Sequence, residues 1–558
     1  ATGEVLTPLD GVKAAEIVDT LKAKGVVSVA ISFLNSYLNP ANERLMRDIV
    51  RQRAPDMYVS ISSDVAPQIR EYPRTSTVVM NAYTTPITGP YLDALAAGLK
   101  KRGFANDPLI MLSNGGVIGI DIAKKFPVRM VESGPAAGAL AAAYYAEVLG
   151  IDRLLSFDMG GTTAKACIIE DRHPLIAGDF EVDRIYRFKS GSGLPILIPS
   201  VDMIEIGAGG GSIASVSNLG LLKVGPQSAG STPGPVAYGR GGQNATVTDA
   251  DLILGYLNAD NFLGGDMKLD LKAAEKQLAK LGEQLGTSMR EVAAGIYRVV
   301  GESMTAAARA HAVDRGIDYR GVPLFAFGGA GPVHACYVAD LLESPMVIYP
   351  PLASVLSAFG TLVTPPRLDL SQGSLSRLSA LKWDDVDRIV AKLVADAGSG
   401  LASAGCKASD ITFQFGADLR YFGQQNEVTA WFDTDPRQKH DAAWVRAVFE
   451  DGYEKLYSLR LPDVDVEIVS WRLVATGPVA SRDTRTELKS APSKPRSTRS
   501  ARFNGSDIDT PVYARQDLAR GQSIDGPAII EERETTIIIL PGWRAKVDAT
   551  GCIMASKE

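Results

Sequence analysis

The sequence has few cysteine and histidine residues, and none of them forms a recognisable metal or redox motif. The four cysteines, Cys167, Cys336, Cys406 and Cys552, lack C-x-x-C spacing, and the four histidines form neither H-x-x-H nor H-E-x-x-H. These absences exclude the common zinc-site patterns from this chain. Isolated cysteines are typical of small buried side chains in a reducing compartment, so we expect buried thiols and a cytoplasmic protein.

Long apolar runs and an excess of positive charge are also missing. No run approaches the roughly 18 apolar residues of a membrane span, and the alanine-rich residues 136–145 are soon followed by Glu147. No secretory signal opens the chain, which again favours the cytoplasm. The net charge is -6, whereas nucleic-acid-binding domains carry a basic patch. We therefore predict that neither a membrane nor a nucleic acid is a partner.

The composition is that of an ordinary globular protein, with 46% hydrophobic and 22% charged residues. Its 558 residues are enough for roughly three or four domains. Near the start, helical patterns at residues 12–24 and 42–53 alternate with strand-like runs at 26–33 and 57–62. This alternation predicts an α/β fold class.

Composition and patterning divide the chain into five consecutive segments. The first is an α/β segment, the second a glycine-rich core, and the third a further α/β segment with helical patterns at 386–404 and 442–457. A polar, basic linker and a small β-rich module follow. The predicted boundaries are 1–102, 103–370, 371–476, 477–500 and 501–558.

Four strand-like runs in the glycine-rich core end in glycine turns. Because such turns gather at one edge of an open α/β sheet, we expect them to form a ligand-binding edge. The runs and their turns are 109–112 before 114–116, 154–157 before 160–161, 204–206 before 207–211, and 324–327 before 328–329.

The strongest chemical signal is the segment 156–166, in which a strand delivers an aspartate into a double-glycine turn. Gly160 and Gly161 let backbone N–H groups approach a phosphate, and Thr162 and Thr163 can donate hydrogen bonds to it. Asp158 is a hard oxygen ligand for Mg²⁺, directly or through water, and is our candidate catalytic residue. The alternative is a plain β-hairpin turn.

A second signal follows the strand-like residues 324–327, where a glycine turn precedes a helix. Bare backbone there lets an adenine or ribose lie close, and the helix N-terminus favours anions. Purely structural glycines are the alternative, and we expect His334 to pack or cap rather than to act as a base. The candidate binding residues of this turn are Gly328, Gly329, Ala330 and Gly331.

Three weaker signals accompany these two. The run 207–211, with Gly209 and Gly210 as candidate binding residues, demands close backbone approach but does not fit a dinucleotide fingerprint. Residues 132–138 precede a helix and indicate either an anion site or tight packing. Residues 246–251 combine hydroxyls with two carboxylates, and helix capping is the simpler interpretation.

Taken together and in order, these stretches resemble the alpha-type, hydantoinase-A-like subunit of the hydantoinase/oxoprolinase family. That family also includes the ATP-dependent acetone and acetophenone carboxylases. The matching stretches cover nearly the whole chain: 70–83, 113–116, 132–138, 157–165, 206–214, 224–242, 246–255, 327–335 and 526–543.

The resemblance implies an actin/Hsp70/sugar-kinase-like (ribonuclease H-like) ATPase fold in which two related α/β lobes close on ATP and Mg²⁺. It identifies residues 158–163 as the phosphate loop of the second lobe and 328–331 as the adenosine turn. Family members carry another D-x-G-G-T turn nearer the N-terminus, and none occurs here before Asp158. We expect that N-terminal phosphate-loop portion to be missing from this chain.

The resemblance also implies a function. An ATP-binding subunit of this kind would work with a hydantoinase-B-like beta-type subunit in a hetero-oligomer, opening a cyclic amide such as a hydantoin, 5-oxoproline or a lactam. One alternative is a subunit of an ATP-dependent ketone carboxylase. Another is a non-catalytic scaffold subunit with a degenerate nucleotide site.

Overall fold

The computed structural model describes residues 3–185, 191–479 and 488–557, which mix helices and strands as the α/β prediction requires. They form two compact units. Unit 1 contains Ala1–Ala136, Ile176–Ser200 and Thr364–Ala480, and unit 2 contains Ala137–Leu175, Val201–Val363 and Ser481–Glu558. The five consecutive segments proposed above divide the chain differently and stay a prediction.

Unit 2 is built on a mixed sheet that has nine strands among the described residues. Its two central pairings are parallel, and the outer ones are antiparallel. The order is Ile204–Ile206, Ala164–Glu170, Leu154–Met159, Leu324–Phe327, Met346–Tyr349, Ile553–Lys557, Trp543–Val547 and Ser523–Asp525, with His173–Pro174 beside Ala164–Glu170.

The central strands are apolar because helices cover both of their faces. All four side chains of Leu324–Phe327 are buried, as is all of Leu154–Met159 except Asp158. The unit contains most of the helix Ser133–Leu149, from Ala137 onward, and the helices Val247–Ile253, Leu271–Leu285, Met289–Arg315, Gly331–Leu342 and Leu356–Val363. Short 3-10 turns lie at Val236–Tyr238, Leu263–Gly265, Ala353–Val355 and Arg515–Asp517.

The β-rich C-terminal segment is present, but its strands are shared between two sheets. Three of them complete the nine-stranded sheet instead of forming a separate module. The others form a four-stranded sheet in the order Ser497–Phe503, Ser506–Ala514, Ala528–Glu531 and Thr536–Ile539. The first of these strands begins inside the predicted linker, and residues 480–487 of that linker lie outside the described residues. A hairpin of Ser212–Val216 and Leu222–Ser228 completes the unit.

Unit 1 contains a four-stranded antiparallel sheet and several smaller elements. The sheet runs in the order Arg367–Arg377, Val466–Thr476, Thr412–Tyr421 and Val428–Phe432. Its apolar face packs on the helices Trp383–Ala402 and Ala442–Tyr457, because alternate residues such as Ala417, Leu419 and Leu473 point into a shared core. The short helical segments Leu378–Ala380, Ala408–Asp410 and Pro436–Lys439 connect these elements.

The remainder of unit 1 surrounds a parallel pair of strands, Ser28–Ile31 and Tyr58–Ile61. Its helices are Gly11–Ala23, Ala41–Arg53, Ser62–Val65, Glu71–Lys101, Ile120–Lys125 and the 3-10 turn Pro127–Met130. Two further antiparallel pairs are Leu109–Met111 with Val117–Gly119, and Phe180–Val182 with Leu194–Ile196. The longest helix, Glu71–Lys101, contains Pro86 and Pro90.

One of the four predicted glycine turns does not belong to the expected sheet edge. The strand before Asn114-Gly115-Gly116 pairs only locally with Val117–Gly119 in unit 1, whereas the other three strands lie in the nine-stranded sheet of unit 2. The prediction is therefore wrong for this turn. Gly116 has a packing role instead, because a Cβ atom there would lie 2.6 Å from the Cβ atom of Arg367.

Burial of the cysteines agrees with their scattered pattern. All four are free thiols, and Cys167, Cys336 and Cys552 are buried. Burial raises the pKa of Cys336 to about 12, which keeps that thiol protonated and unreactive at neutral pH. Among the described residues, no helix is both long enough and apolar enough to cross a bilayer.

Gly138 allows a test of the packing interpretation of residues 132–138. A Cβ atom there would lie 2.7 Å from the Phe327 ring and 2.9 Å from Ser357 Oγ, so Gly138→Ala should destabilise the protein by about 1–3 kcal/mol. Gly134, on the same helix, has no atom within 4 Å of such a Cβ, so Gly134→Ala should be neutral or slightly stabilising. Urea denaturation of both variants measures the difference, and equal stability would contradict the packing role.

Candidate active site

Asp158 lies at the end of a buried strand, immediately before the double-glycine turn. The strand Leu154–Met159 pairs with Ala164–Glu170 on one side and with Leu324–Phe327 on the other. The turn is closed by a hydrogen bond from Gly160 N–H to the Thr163 carbonyl, 3.1 Å long. Gly161 and Thr162 are exposed at its tip. The local structure is therefore the β-hairpin turn that the sequence analysis gave as the alternative, and the tip of this hairpin is exposed to solvent.

The turn 328–331 lies directly against this first turn. Phe327 is in register with Asp158, and the Ala330 N–H donates to the Met159 carbonyl at 3.0 Å. Gly328 has φ +88°, and a Cβ atom there would approach Asp158 Oδ1 to 2.5 Å. Only glycine meets both conditions, because other residues rarely adopt a positive φ and would collide with the carboxylate. The helix Gly331–Leu342 follows, with Pro332 in its first turn.

The third turn, 207–211, packs backbone to backbone on the first. Gly210 N–H donates to the Gly160 carbonyl at 3.0 Å, and Gly211 N–H donates to the Gly161 carbonyl at 2.6 Å. A Cβ atom on Gly209 would lie 2.7 Å from backbone atoms of Gly161 and Thr162. The glycines of this run are therefore required for the close approach of two turns.

The helix Val247–Ile253 holds the third turn in place. Thr248 donates to the Gly210 carbonyl from both its N–H and its hydroxyl, at 2.7 and 2.8 Å. Thr246 and Asp249 form a capping box at the start of this helix, and Asp249 also accepts from the Ala237 N–H at 2.7 Å. The capping interpretation of this segment is thus confirmed, and the cap supports the site indirectly.

The structure brings all of the predicted nucleotide-binding residues together in unit 2. Asp158 and residues 160–163, 209–210 and 328–331 are linked by the contacts just described. Gly161 and Gly329 are exposed, and a Cβ atom on Gly161 would have no protein atom within 4 Å. These glycines leave bare backbone facing open space, which is what a phosphate or ribose needs for close contact.

Burial and one nearby positive charge act in opposite directions on the Asp158 carboxyl. Burial raises the pKa of the Asp158 carboxyl, and the Lys165 ammonium partly opposes that shift. Lys165 Nζ lies 2.6 Å from Thr163 Oγ1 and 3.1 Å from Glu205 Oε1. The lysine thus joins the first turn to the strand Ile204–Ile206 that leads into the third turn.

A small cleft beside Gly329 adds residues that the sequence analysis did not single out. One wall contains Leu257, Phe262 and Leu263, and the other is the segment 531–536. The Thr535 hydroxyl donates to the Gly329 carbonyl at 2.9 Å. The stretch 526–543 was among the family-like motifs, but a motif alone does not reveal that it reaches a turn two hundred residues earlier.

The wall of this cleft that contains Glu531 is fixed by hydrogen bonds. Asn258 and Asn261 donate to the two carboxylate oxygens of Glu531 at 3.3 and 3.1 Å, and Arg499 pairs with the same group. Because its oxygens are occupied, Glu531 shapes the cleft and does not present a free charge to it. The lining also contains apolar side chains and the exposed charged residues Arg533 and Glu534.

His334 is a packing residue, as expected. It is fully buried, stacks on Tyr297 with a centroid distance of 4.8 Å, and places Nε2 3.3 Å from Asp251 Oδ2. These contacts tie the helix Gly331–Leu342 to the helix Val247–Ile253. The histidine therefore links the helix that follows the second turn to the helix that holds the third turn. Because it is fully buried, it has no access to a ligand.

Asp158 is the single carboxylate among the predicted site residues that could hold a metal ion. Within the described ranges, no group of three or more histidine, cysteine, aspartate or glutamate side chains is placed to hold a metal ion. Mg²⁺ does not need such a group, because it is commonly bound through one or two carboxylates together with waters and substrate phosphates. Asp158, next to the exposed turn tips, fits that mode.

Comparison with family models gives the class of protein that this fold and site define. The hydantoinase/oxoprolinase model matches residues 74–369, its C-terminal domain model matches 379–555, and its N-terminal region model matches 1–54. The chain belongs to the hydantoinase/oxoprolinase family.

Three relatives match nearly the whole length of this chain, and two of them have a named activity. It is 37% identical to an uncharacterised protein of Methanocaldococcus jannaschii, covering 99% of this chain and 80% of that protein. It is 34% identical to the caprolactamase subunit alpha of Pseudomonas jessenii, with coverages of 98% and 78%. The acetophenone carboxylase gamma subunit of Aromatoleum aromaticum is 30% identical, with coverages of 99% and 77%.

A solved structure supports the same relationship. The crystal structure of the ATP-dependent caprolactamase from Pseudomonas jessenii matches with a TM-score of 0.83 and 32% identity, covering 100% of this chain and 81% of that one. The family therefore includes ATP-dependent enzymes with amide-hydrolysing and carboxylating members, and this chain has their fold.

Two glycine variants separate a binding role from a packing role. Gly161→Ala meets no protein atom, so the fold should be unchanged, and any loss of affinity for an ATP analogue reports contact with the ligand. We expect at least a tenfold loss, measured by isothermal titration calorimetry. Gly209→Ala should lower both affinity and melting temperature, because it forces two turns apart. Wild-type affinity in Gly161→Ala would remove that turn from the binding site.

Proposed function

We propose that this chain is the ATP-binding subunit of an ATP-dependent enzyme that opens cyclic amides through a phosphorylated carbonyl intermediate. The observation that supports this proposal is the meeting of three glycine turns in unit 2 next to Asp158, which is partly buried. The similarity to an ATP-dependent caprolactamase over the whole length of the chain supports the amide as substrate class. We further propose that the chain has the actin/Hsp70/sugar-kinase-like (ribonuclease H-like) fold.

In this proposal the first turn binds the phosphates, the second lies against the adenosine, and the third supports the first. The backbone N–H of Gly161 and the hydroxyls of Thr162 and Thr163 would bind phosphate oxygens, while the Gly160 N–H closes the turn on the Thr163 carbonyl. Asp158 would hold Mg²⁺, which supplies charge neutralisation for the transferred phosphoryl group. Lys165, already 2.6 Å from Thr163 Oγ1, would add a positive charge behind the phosphate loop.

The adenosine half would occupy the cleft beside Gly329. Its apolar residues Leu257 and Phe262 suit an aromatic base, and the exposed backbone of Gly329 allows the ribose to approach closely. Thr535 fixes the Gly329 carbonyl by donating to it. The cleft and the phosphate loop are connected through the second turn, because Gly329 lines the cleft and Ala330 N–H donates to the Met159 carbonyl.

The chemical reason for using ATP is the poor electrophilicity of an amide carbonyl. Transfer of the γ-phosphoryl group to the carbonyl oxygen, with release of ADP, makes the carbonyl carbon electrophilic enough for water to add to it. The ring C–N bond then breaks and the nitrogen leaves as an amine. Hydrolysis of the resulting acyl phosphate releases phosphate and the ring-opened acid. Positioning and charge neutralisation account for most of the catalysis of such a transfer. The turns of this chain supply both. We propose that a beta-type partner completes the hydrolytic half, since several relatives are subunits of multi-subunit enzymes.

Asp158→Asn should abolish ATP hydrolysis while leaving the fold intact or more stable. Burial disfavours the charged carboxylate and raises the pKa of Asp158 in the folded state. The free energy of unfolding therefore falls as the pH rises from the ordinary carboxyl pKa through this raised pKa, because the carboxylate becomes charged. A neutral amide removes the cost. Phosphate release and melting temperature, both at pH 7.5, are the measurements. Wild-type turnover would exclude Asp158 from the mechanism, and a collapsed melting temperature would give it a structural role.

The second candidate is a ketone carboxylase, and the similarity to the acetophenone carboxylase gamma subunit favours it. The same turns would then serve to phosphorylate bicarbonate and the enol of a ketone. ATP turnover by the assembled enzyme should be measured with lactams, hydantoins and ketones, each with and without bicarbonate. We expect turnover with a cyclic amide. Strict dependence on both a ketone and bicarbonate would overturn the hydrolase assignment.

A further inference from the structure

Three glutamates line the cleft beside Gly329, and two of them are already committed to the fold. Both carboxylate oxygens of Glu531 accept from asparagines, and Arg499 pairs with the same group. Glu532 pairs with Arg515, whose guanidinium also donates to two backbone carbonyls. These two carboxylates therefore hold the walls of the cleft in place.

The third glutamate, Glu534, has a carboxylate with free acceptor positions. Within residues 3–185, 191–479 and 488–557, no group donates a hydrogen bond to this carboxylate. Its ion-pair partner is Arg533, but the 3.5 Å between Arg533 Nε and Glu534 Oε1 is too long for a strong hydrogen bond. The Glu534 side chain is 38% exposed. Because an ionised carboxylate can accept several hydrogen bonds, Glu534 can accept them from a ligand in the cleft.

A tight hairpin fixes the position of Glu534. The strands Ala528–Glu531 and Thr536–Ile539 are antiparallel, and all of their residues are buried. The Glu532 N–H donates to the Thr535 carbonyl at 2.9 Å, which leaves Glu534 in a tip of two residues. The backbone of so short a tip stays close to the buried strands that carry it.

The tip of this hairpin lies against the second turn. The Thr535 hydroxyl donates to the Gly329 carbonyl at 2.9 Å, and a Cβ atom on Gly329 would lie 3.9 Å from the Glu534 carbonyl oxygen. The next residue, Ala330, donates its N–H to the Met159 carbonyl beside the first turn. Glu534 is therefore adjacent to the turn that joins the cleft to the phosphate loop. In a nucleotide the ribose joins the base to the phosphates, so the ribose is the part that this turn would face.

The charge at the tip favours a neutral group with hydrogen-bond donors. Arg533 is shared, because its Nη2 also donates to Asp266 Oδ2 at 2.9 Å. One guanidinium thus serves the two carboxylates of Asp266 and Glu534, which leaves an excess of negative charge. This charge repels a phosphate, whereas the neighbouring hydroxyls of a ribose supply two donors to one carboxylate. Acidic side chains recognise ribose hydroxyls in dinucleotide-binding folds for the same reason.

We propose that Glu534 determines specificity for the sugar, by accepting hydrogen bonds from the 2′- and 3′-hydroxyls of a ribonucleotide. This inference rests on the proposed function, because it adds the ribose contact to the nucleotide site of that proposal. Gly329 complements the carboxylate, since its lack of a side chain lets the sugar ring approach the adjacent backbone. A nucleotide without these hydroxyls leaves the carboxylate unpaired and is disfavoured.

The test compares the binding of ADP and of 2′,3′-dideoxy-ADP to the full chain, by isothermal titration calorimetry with Mg²⁺. The wild-type chain should bind ADP about tenfold more tightly than the dideoxy nucleotide, as expected for hydrogen bonds to a partly exposed carboxylate. Glu534→Ala should bind ADP about tenfold more weakly than the wild-type chain does and should keep its affinity for the dideoxy nucleotide. The preference for the ribose would then be lost.

Glu283→Ala is the matched control, because Glu283 is an exposed glutamate on the helix Leu271–Leu285 of the same unit. This variant should keep the wild-type preference for ADP. Both substituted side chains lie outside the core, so the melting temperatures of both variants should equal that of the wild-type chain.

The outcomes separate this inference from the proposed function. Equal affinity of the wild-type chain for the two nucleotides overturns the ribose contact and leaves the nucleotide site intact. An equal loss of affinity for both nucleotides in Glu534→Ala also overturns it, because the residue would then only shape the cleft. So does a variant that loses preference for ADP over inosine diphosphate but keeps its preference for the ribose, since the contact would then be to the base. Failure of the wild-type chain to bind either nucleotide refutes the nucleotide site and the ribose contact together.

Discussion

The candidate site depends on one steric constraint, the close approach of backbone to backbone between three turns. Gly209 lies where a Cβ atom would meet Gly161 and Thr162, and Gly328 lies where one would meet Met159 and Asp158. Hydrogen bonds from Gly210 and Ala330 N–H groups then join the turns to the carbonyls of Gly160 and Met159. Side chains at these positions would separate the turns. Backbone that is held rigidly in this way needs no reorganisation when a ligand arrives.

The sequence was sufficient to predict this cluster because each turn has its own local signature. The predicted strands that end at Phe157, Ile206 and Phe327 are short apolar runs. Each is followed by glycines, which lack a side chain and therefore let another group approach the backbone closely. The same reasoning failed at Asn114-Gly115-Gly116, where an apolar run of three residues forms a local hairpin in unit 1. A pattern of strand and glycine specifies a tight turn, but it does not specify which sheet the strand joins, since sheet pairing is set by distant residues.

Two larger features could not be predicted for related reasons. The sequence analysis proposes no element over 71–101, yet this is the longest helix, because Pro86 and Pro90 argue against a continuous helix by propensity. Tertiary packing overrides that preference, with Arg74, Val78 and Leu92 buried along it. Likewise, the C-terminal strands show β character individually, but Ile553–Lys557 pairs with Met346–Tyr349, roughly two hundred residues earlier, and so joins Trp543–Val547 to the central sheet. The alternation of apolar and polar residues predicts a strand and its buried face, but it does not predict which strand will pair with it.

The two units differ in how they use buried charge. In the candidate site of unit 2, burial raises the pKa of Asp158 and the Lys165 ammonium only partly opposes that shift, so the carboxylate is held at a cost that a divalent cation would relieve. In unit 1, burial lowers the pKa of Arg472, but Asp418, Asp369 and Asp179 raise it further, so the guanidinium stays charged without any ligand. A buried charge that its neighbours leave uncompensated favours a counter-ion, whereas a compensated pair such as Arg472 with Asp418 does not need one. The physical argument for a cation beside Asp158 therefore does not extend to the buried ion pairs of unit 1.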